Sequence, residues 1–230
     1  MSGRPVRRPV LTGKVVLASP ERTVGSPAPV ARMGTIYLIR HPATAWSGVR
    51  YAGRTDVPLI PAARSQASAN AAEVAAWIKG RAACVVSSPL ARAREAAQPI
   101  AEACSAALVI DSRWREADFG AVEGTTFDEI AASWPALAER LLRGERAIDW
   151  PGGERWHEFR ARVASAWSDL LDQPFDVGVV VSHGGPIGVA LELALGEADP
   201  AVGSIVEPGE ALELALDRRC RLVRRWTAGR

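Results

Sequence analysis

Two histidines in this chain each stand one residue beyond a short apolar run. His41 follows Thr35–Arg40 (TIYLIR), with Arg40 directly before it, and His183 follows Val177–Ser182 (VGVVVS), with Gly184 and Gly185 behind it. An Arg next to a His sets a planar fork of donors, suited to phosphate oxygens, beside an imidazole. Thr44, three residues after His41, offers a hydroxyl to an anion or to a helix start. The glycines after His183 let backbone N–H groups approach a ligand where a helix N-terminus favours negative charge. A strand–turn–helix connection alone accounts for those glycines. It does not account for the histidine. Ser87-Ser88-Pro89-Leu90-Ala91-Arg92 makes the same strand-to-helix crossing, and convergence with the two histidines draws Arg92 toward a shared pocket, while Arg94 reads as a solvated helix charge. Glu116, in the loop Trp114–Gly120, is a natural proton donor for two Arg and two His. Asp118 and Glu123 compete with it for that part.

These residues meet only if the strands carrying them lie side by side. The pattern predicts helices over Ala62–Lys79, Leu90–Cys104 (with Pro89 in its first turn), Glu154–Leu171 and from the Gly-Gly turn through Leu195. Phe127–Arg143 reads as one or two helices broken at Pro135. Strands are expected at Thr35–Arg40, Ala82–Ser87, Ala107–Ile110 and Val177–Ser182, with two further β-like runs, Ala211–Leu216 and Arg221–Trp226, around a turn at 217–219. Strands alternating with helices imply an α/β fold, a three-layer α/β/α sandwich with a mostly parallel central sheet. Ligands of such folds bind beyond the carboxyl ends of the strands, where both histidines fall.

Composition narrows the partners. A chain of 230 residues with 48% apolar and 23% charged residues reads as one domain and not as a disordered chain. No apolar run approaches the roughly 18 residues a membrane span needs. The net charge of +2 conceals basic ends around an acidic body, so neither nucleic acid nor membrane is an expected partner. Residues 1–33, rich in Pro and basic, read as a weakly ordered extension ahead of a single domain over 34–230, and Met33 stands as an alternative start. Cys84, Cys104 and Cys220 are odd in number and lack CxxC spacing, which fits reduced, packed thiols in a cytoplasmic protein. His157 reads as a solvated helical residue, Trp77 and Trp167 as core. About half of Trp46, Tyr51, Trp134, Trp150 and Trp156 are expected to cover the pocket. The run Arg218, Arg219, Arg221, Arg224 and Arg225 is expected on the solvated face of a terminal hairpin.

Five segments resemble the histidine phosphatase superfamily, the phosphoglycerate-mutase-like group. Arg40-His41-Pro42-Ala43-Thr44 is similar to R-H-G-x-T, Tyr51–Leu59 to the loop that follows, Ser88–Ala93 to S-P-L-x-R-A, Glu116–Gly124 to E-x-x-F-G-x-x-E-G, and Ser182–Gly185 to S-H-G-G. Their order and spacing carry the resemblance over Thr35 to Leu195. It implies that His41 attacks phosphorus and carries a transient phosphoryl group, that Arg40, Arg92 and His183 hold the phosphoryl oxygens, and that Glu116 protonates the leaving oxygen. Thr44, Ser47, Arg54, Ser88 and Gly184 would contact substrate. No metal and no cofactor are implied, and the substrate would be a small phosphorylated metabolite; a homodimer stays open. The wording of Arg40–Leu59 is most similar to the alpha-ribazole phosphatase type, with phosphoglycerate mutase and a non-catalytic phosphate binder as alternatives. Three positions depart from the pattern: Pro42 replaces a Gly and removes a backbone N–H, Ser47 replaces an Asn, and Ala96 replaces a Thr.

Overall fold

Strand β1 (Gly34–Arg40) explains the layering. Its residues Ile36, Tyr37, Leu38 and Ile39 are all buried. Side chains alternate across a strand, so this run needs cover on both faces. Ile36 and Leu38 pack on one side against α5 (Trp156–Asp172) and α6 (Gly184–Leu195). Tyr37 and Ile39 pack on the other against α1 (Pro61–Ile78) and α2 (Ala91–Ala103). The computed structural model describes residues 34–217 and 220–228. The expected extension over 1–33, together with Arg218 and Arg219, lies outside the described residues.

Six strands form one sheet in the order β3-β2-β4-β1-β5-β6. Here β2 is Ala83–Ser87, β3 Leu108–Ile110, β4 Val177–Ser182, β5 Glu210–Leu216 and β6 Arg221–Thr227. Strands β1 to β4 are mutually parallel, and β5 and β6 add an antiparallel edge. The sheet is therefore mostly parallel and sandwiched between helices. Beside it, α3 (Phe127–Ser133) and α4 (Pro135–Leu142) build a smaller cluster around Val122, Ile130, Leu137 and Ile148. No helix among the described residues is long and apolar enough to cross a membrane.

Local chemistry sets the element ends. Thr126 and Glu129 form a capping box that starts α3. Pro135 occupies the first turn of α4, where its missing N–H costs nothing, so the expected break is a junction of two helices. Helix α2 begins at Ala91, leaving Pro89 ahead of the helix and not in its first turn. Helix α5 begins at Trp156 because Arg155 stays extended. Of the terminal arginines among the described residues, Arg221 and Arg224 are exposed as expected and Arg225 is half-buried. Arg224 stacks 3.8 Å over Trp77 and pairs with Glu213 at 2.6 Å, while Arg225 grips Glu210, Ser204 and the Ile205 carbonyl. Trp167 is buried as expected, Trp77 is half-buried under Arg224, and His157 is exposed.

Two loops that reach the site dock through glycines. Ala121 N–H donates to the Pro151 carbonyl at 2.8 Å, and Glu154 N–H to the Asp118 carbonyl at 2.9 Å. A Cβ on Gly153 would collide with the Asp118 carbonyl and the Gly120 nitrogen. Gly153→Ala should therefore lower stability by about 1–3 kcal/mol, as overpacking does. Gly144→Ala, at positive φ but in open space, should cost only about 1 kcal/mol. Denaturant melts of the two variants check this, and equal losses would contradict it.

Candidate active site

Register brings the site together. Arg40 pairs with Ser182 across β1 and β4, and Ser87 pairs with Val181 across β2 and β4. The three strands thus end together, and the residues just past them, His41, Ser88 and His183, meet there. The His41 and His183 rings lie 5.1 Å apart, both buried. His41 Nδ1 is 2.6 Å from the Pro42 carbonyl oxygen, which can only accept. The proton therefore sits on Nδ1 and leaves a lone pair on Nε2. For His183 the assignment is reversed: Arg92 Nε donates to Nδ1 at 3.2 Å, so Nε2 carries the proton and donates to Ser88 Oγ at 2.8 Å. Burial pushes both imidazoles well below their ordinary 6.5, helped by Arg92 and Arg40 at His41, and by His41 and then those arginines at His183. Both rings are neutral at neutral pH.

Arg92 is 1% exposed, and among the described residues none of its hydrogen bonds goes to a carboxylate. Its N–H groups go to His183 and to the carbonyls of Ala52 (3.1 Å), Gly53 (2.8 Å) and Thr55 (2.7 Å). That loop turns its carbonyls inward because Glu123 takes its N–H groups from the other side: Gly53 at 2.9 Å, Arg54 at 3.2 Å and Thr55 at 2.9 Å. Arg40 gives Nη1 to the Val206 carbonyl at 2.6 Å, while its buried Nε meets no partner. Burial lowers the pKa of each guanidinium, opposed in both by Glu116, yet an arginine stays charged. Behind β1, Gly209 N–H is shared by the Arg40 and His41 carbonyls, and Asn70 holds the Gly209 carbonyl at 3.2 Å.

Geometry chooses among the three carboxylates. Glu116 lines the pocket, accepting from Ala117 N–H at 2.9 Å and Gly185 N–H at 3.2 Å. Asp118 is spent on Gly120 N–H, and Glu123 on the loop. The Glu116 carbonyl is held by Arg162 at 2.9 Å and Arg54 at 3.1 Å. Arg162 in turn is gripped by Glu154 at 2.6 and 2.8 Å. Burial pushes the Glu154 carboxyl up, but its bonds to Arg162 outweigh this and its pKa is lowered.

The other expected contacts divide. Thr44 and Ser47 line the chamber that holds His41, bonded to each other through Thr44 N–H and Ser47 Oγ at 2.9 Å. Gly184 lines the adjoining chamber. Arg54 and Ser88 do not face either one. Arg54 is tied to the Glu116 carbonyl and Glu154, and Ser88 is fully buried against His183, so both position site residues where substrate contact was expected. Trp46, Tyr51, Trp150 and Trp156 line the two chambers and Trp134 does not, which is more than the expected half. Pro42 gives up an N–H but keeps the carbonyl that orients His41, and Ala96 is buried in α2 as a packing change. Sequence reasoning missed Arg146, Arg162 and the clamp made by Glu123. Among the described residues no three His, Cys, Asp or Glu side chains gather as a metal site needs.

Two measurements follow from this geometry. Glu123→Gln leaves one acceptor for three N–H groups, so it should cost about 1–3 kcal/mol and lower catalytic activity with it. An unchanged melting temperature would show that the loop is held otherwise. Because both buried histidines have folded-state pKa values below the unfolded 6.5, the unfolded chain binds more protons as pH falls. Stability should be level above about pH 6.5 and decline below it, by up to about 1.4 kcal/mol per pH unit for each histidine. His41→Ala should make that decline shallower in urea melts between pH 5 and 7.5.

Known proteins give the arrangement a family. The model for "Histidine phosphatase superfamily (branch 1)" matches residues 36–228. "Probable phosphoglycerate mutase GpmB" of Salmonella paratyphi C is 32% identical over 163 residues, 70% of this chain and 74% of that protein. Among solved structures, a mycobacterial glucosyl-3-phosphoglycerate phosphatase superposes with a TM-score of 0.70 at 27% identity, covering 86% of this chain and 100% of that one. An Escherichia coli K-12 protein described as a "putative alpha-ribazole-5'-P phosphatase" reaches 0.70 at 20% identity, over 83% and 95%, and speaks for the fold alone. Carrying two neutral histidines between buried arginines at the ends of β1, β2 and β4, the chain belongs to the histidine phosphatase superfamily, branch 1.

Proposed function

We propose that the protein hydrolyses a small phosphate monoester through a phosphohistidine on His41, without a metal. The observation that carries this reading is the His41 tautomer. Nδ1–H is fixed on the Pro42 carbonyl, so the Nε2 lone pair is free in a pocket flanked by two permanent positive charges. Nε2 attacks phosphorus as the bond to the leaving oxygen breaks, and Glu116, acting as the acid, hands a proton to that oxygen. Water then attacks the phosphohistidine and gives a proton back to Glu116, the P–N bond breaks, and inorganic phosphate leaves. Arg40, whose buried Nε lacks a partner, is suited to a phosphoryl oxygen, Arg92 adds charge stabilisation around it, and His183 Nε2–H would have to exchange Ser88 Oγ for a phosphoryl oxygen to join them.

The finer substrate is a proposal too. Alpha-ribazole 5'-phosphate rests on the wording of Arg40–Leu59, while the mycobacterial neighbour acts on glucosyl-3-phosphoglycerate by its description. A mutase would share the first half of the chemistry and return the phosphoryl group to substrate. Release of inorganic phosphate without a bisphosphate primer separates the two. Free Cys84, Cys104 and Cys220 fit a cytoplasmic setting. A small metabolite remains the proposed partner, with a homodimer as one assembly to test.

His41→Ala should lose at least about 1,000-fold in kcat on p-nitrophenyl phosphate and all acid-labile phosphoryl adduct in rapid quench. Equal turnover in wild type and variant would remove His41 as the nucleophile. Gly185→Ala tests the acid. Its Cβ would collide with the Glu116 carboxylate while adding a good helix former to α6. Turnover of an alkyl phosphate, whose leaving oxygen needs the proton, should fall about tenfold or more, and p-nitrophenyl phosphate much less. Equal losses on both esters would speak against Glu116 as the acid.

A further inference from the structure

Two chambers meet at Arg40, Glu116 and Phe119. One contains His41 and Arg92 and takes the phosphoryl group. The other, about 300 Å³, contains neither, so it is built for something else. Its walls are Trp150, Trp156 and Phe159, and besides the shared Arg40 a second guanidinium, Arg146, enters it.

Arg146 is unusually short of partners for so enclosed a group. Its Nη2 is buried and hydrogen-bonded to nothing. The carboxylate it faces, Glu192, is 3.8 Å away and is already held by Arg160 through Nε and Nη2, both at 2.8 Å. Glu192 thus divides its two oxygens between two guanidinium groups, Glu197 adds a further attraction, and Arg146 keeps a spare buried donor. Gly188 makes the room, since a Cβ there would stand 3.0 Å from Nη2.

The acid borders both chambers. With phosphorus beside His41 and the leaving oxygen at Glu116, the remainder of the ester continues past Glu116 into the aromatic chamber. We infer that this chamber receives the leaving group and that Arg146 binds a second oxyanion at its far end, making the preferred substrate a phosphate monoester with an additional acidic group. The inference rests on the phosphatase reading above. Ring or apolar atoms between the two anions would lie against Trp150 and Trp156.

The test compares kcat/KM for phenyl phosphate, 4-(carboxymethyl)phenyl phosphate and 1,4-phenylene bisphosphate in the full chain, in Arg146→Gln and in Arg146→Lys. Wild type should favour at least one acidic ester by about tenfold or more over phenyl phosphate, and the two acidic esters tell carboxylate from phosphate. Arg146→Gln should bring that ratio to within about twofold of unity, with Arg146→Lys retaining part of it. Gly188→Ala, pressing on Nη2, should lower the ratio as well and serves if Arg146→Gln does not fold. No preference in wild type, or a preference that Arg146→Gln leaves intact, overturns the inference. Calorimetric titration with 4-hydroxyphenylacetate reads the chamber without turnover. Binding that Arg146→Gln abolishes supports the chamber even if no ester is hydrolysed, in which case the phosphatase reading fails instead. Absent binding overturns it.

Discussion

The site depends on one buried charge. Removing the Arg92 guanidinium from water is tolerated only because nearly every donor it has finds an acceptor. Three of those acceptors are backbone carbonyls of residues 52–55, and they point inward because Glu123 draws the N–H groups of the same loop outward. Glu123 and Arg92 therefore hold opposite faces of one short stretch of chain. The remaining donor fixes the ring of His183, which fixes Ser88 at the end of β2. Taken together, these bonds join the loop after β1, the start of α2 and the start of α6 without a carboxylate touching Arg92.

The histidines were legible because each belongs to a local unit, a buried strand followed at once by a turn. Such units announce themselves within ten residues, and β4 falls where its apolar run predicts. Side-chain direction did not have that advantage. Arg54 and Ser88 stand in motif positions, yet packing turns one toward the Glu116 carbonyl and the other toward His183. Arg162 reaches three carbonyls in the loop 113–116 from the middle of α5, a relation that exists only after the helix docks. Arg146 lies in a stretch with neither strand nor helix periodicity, so nothing in its neighbours marks it. Arg225 departs from the expected solvated face for a related reason: alternation along β6 gives no sign that it ties down the loop at Ser204 and Ile205, which walls the second chamber.

Family membership and local geometry answer different parts of the question. The match over residues 36–228 fixes the fold and the kind of chemistry. It does not separate hydrolysis from transfer back to substrate, because relatives described as mutase and neighbours described as phosphatase share the same scaffold. On a shared fold function is set by the site, and the wall beyond the acid is part of that site. Here that wall is aromatic, floored with glycine and supplied with a guanidinium.

The hydrogen bond from His41 to the Pro42 carbonyl has one more consequence. A carbonyl, unlike a carboxylate, brings no charge of its own, and the buried arginines do not titrate. Through the neutral range the two histidines and two arginines therefore present a constant charge to whatever enters. A phosphate monoester does change, losing its second negative charge as pH falls through about 6. The proton that sets the acid side of binding then belongs to the guest and not to these four side chains.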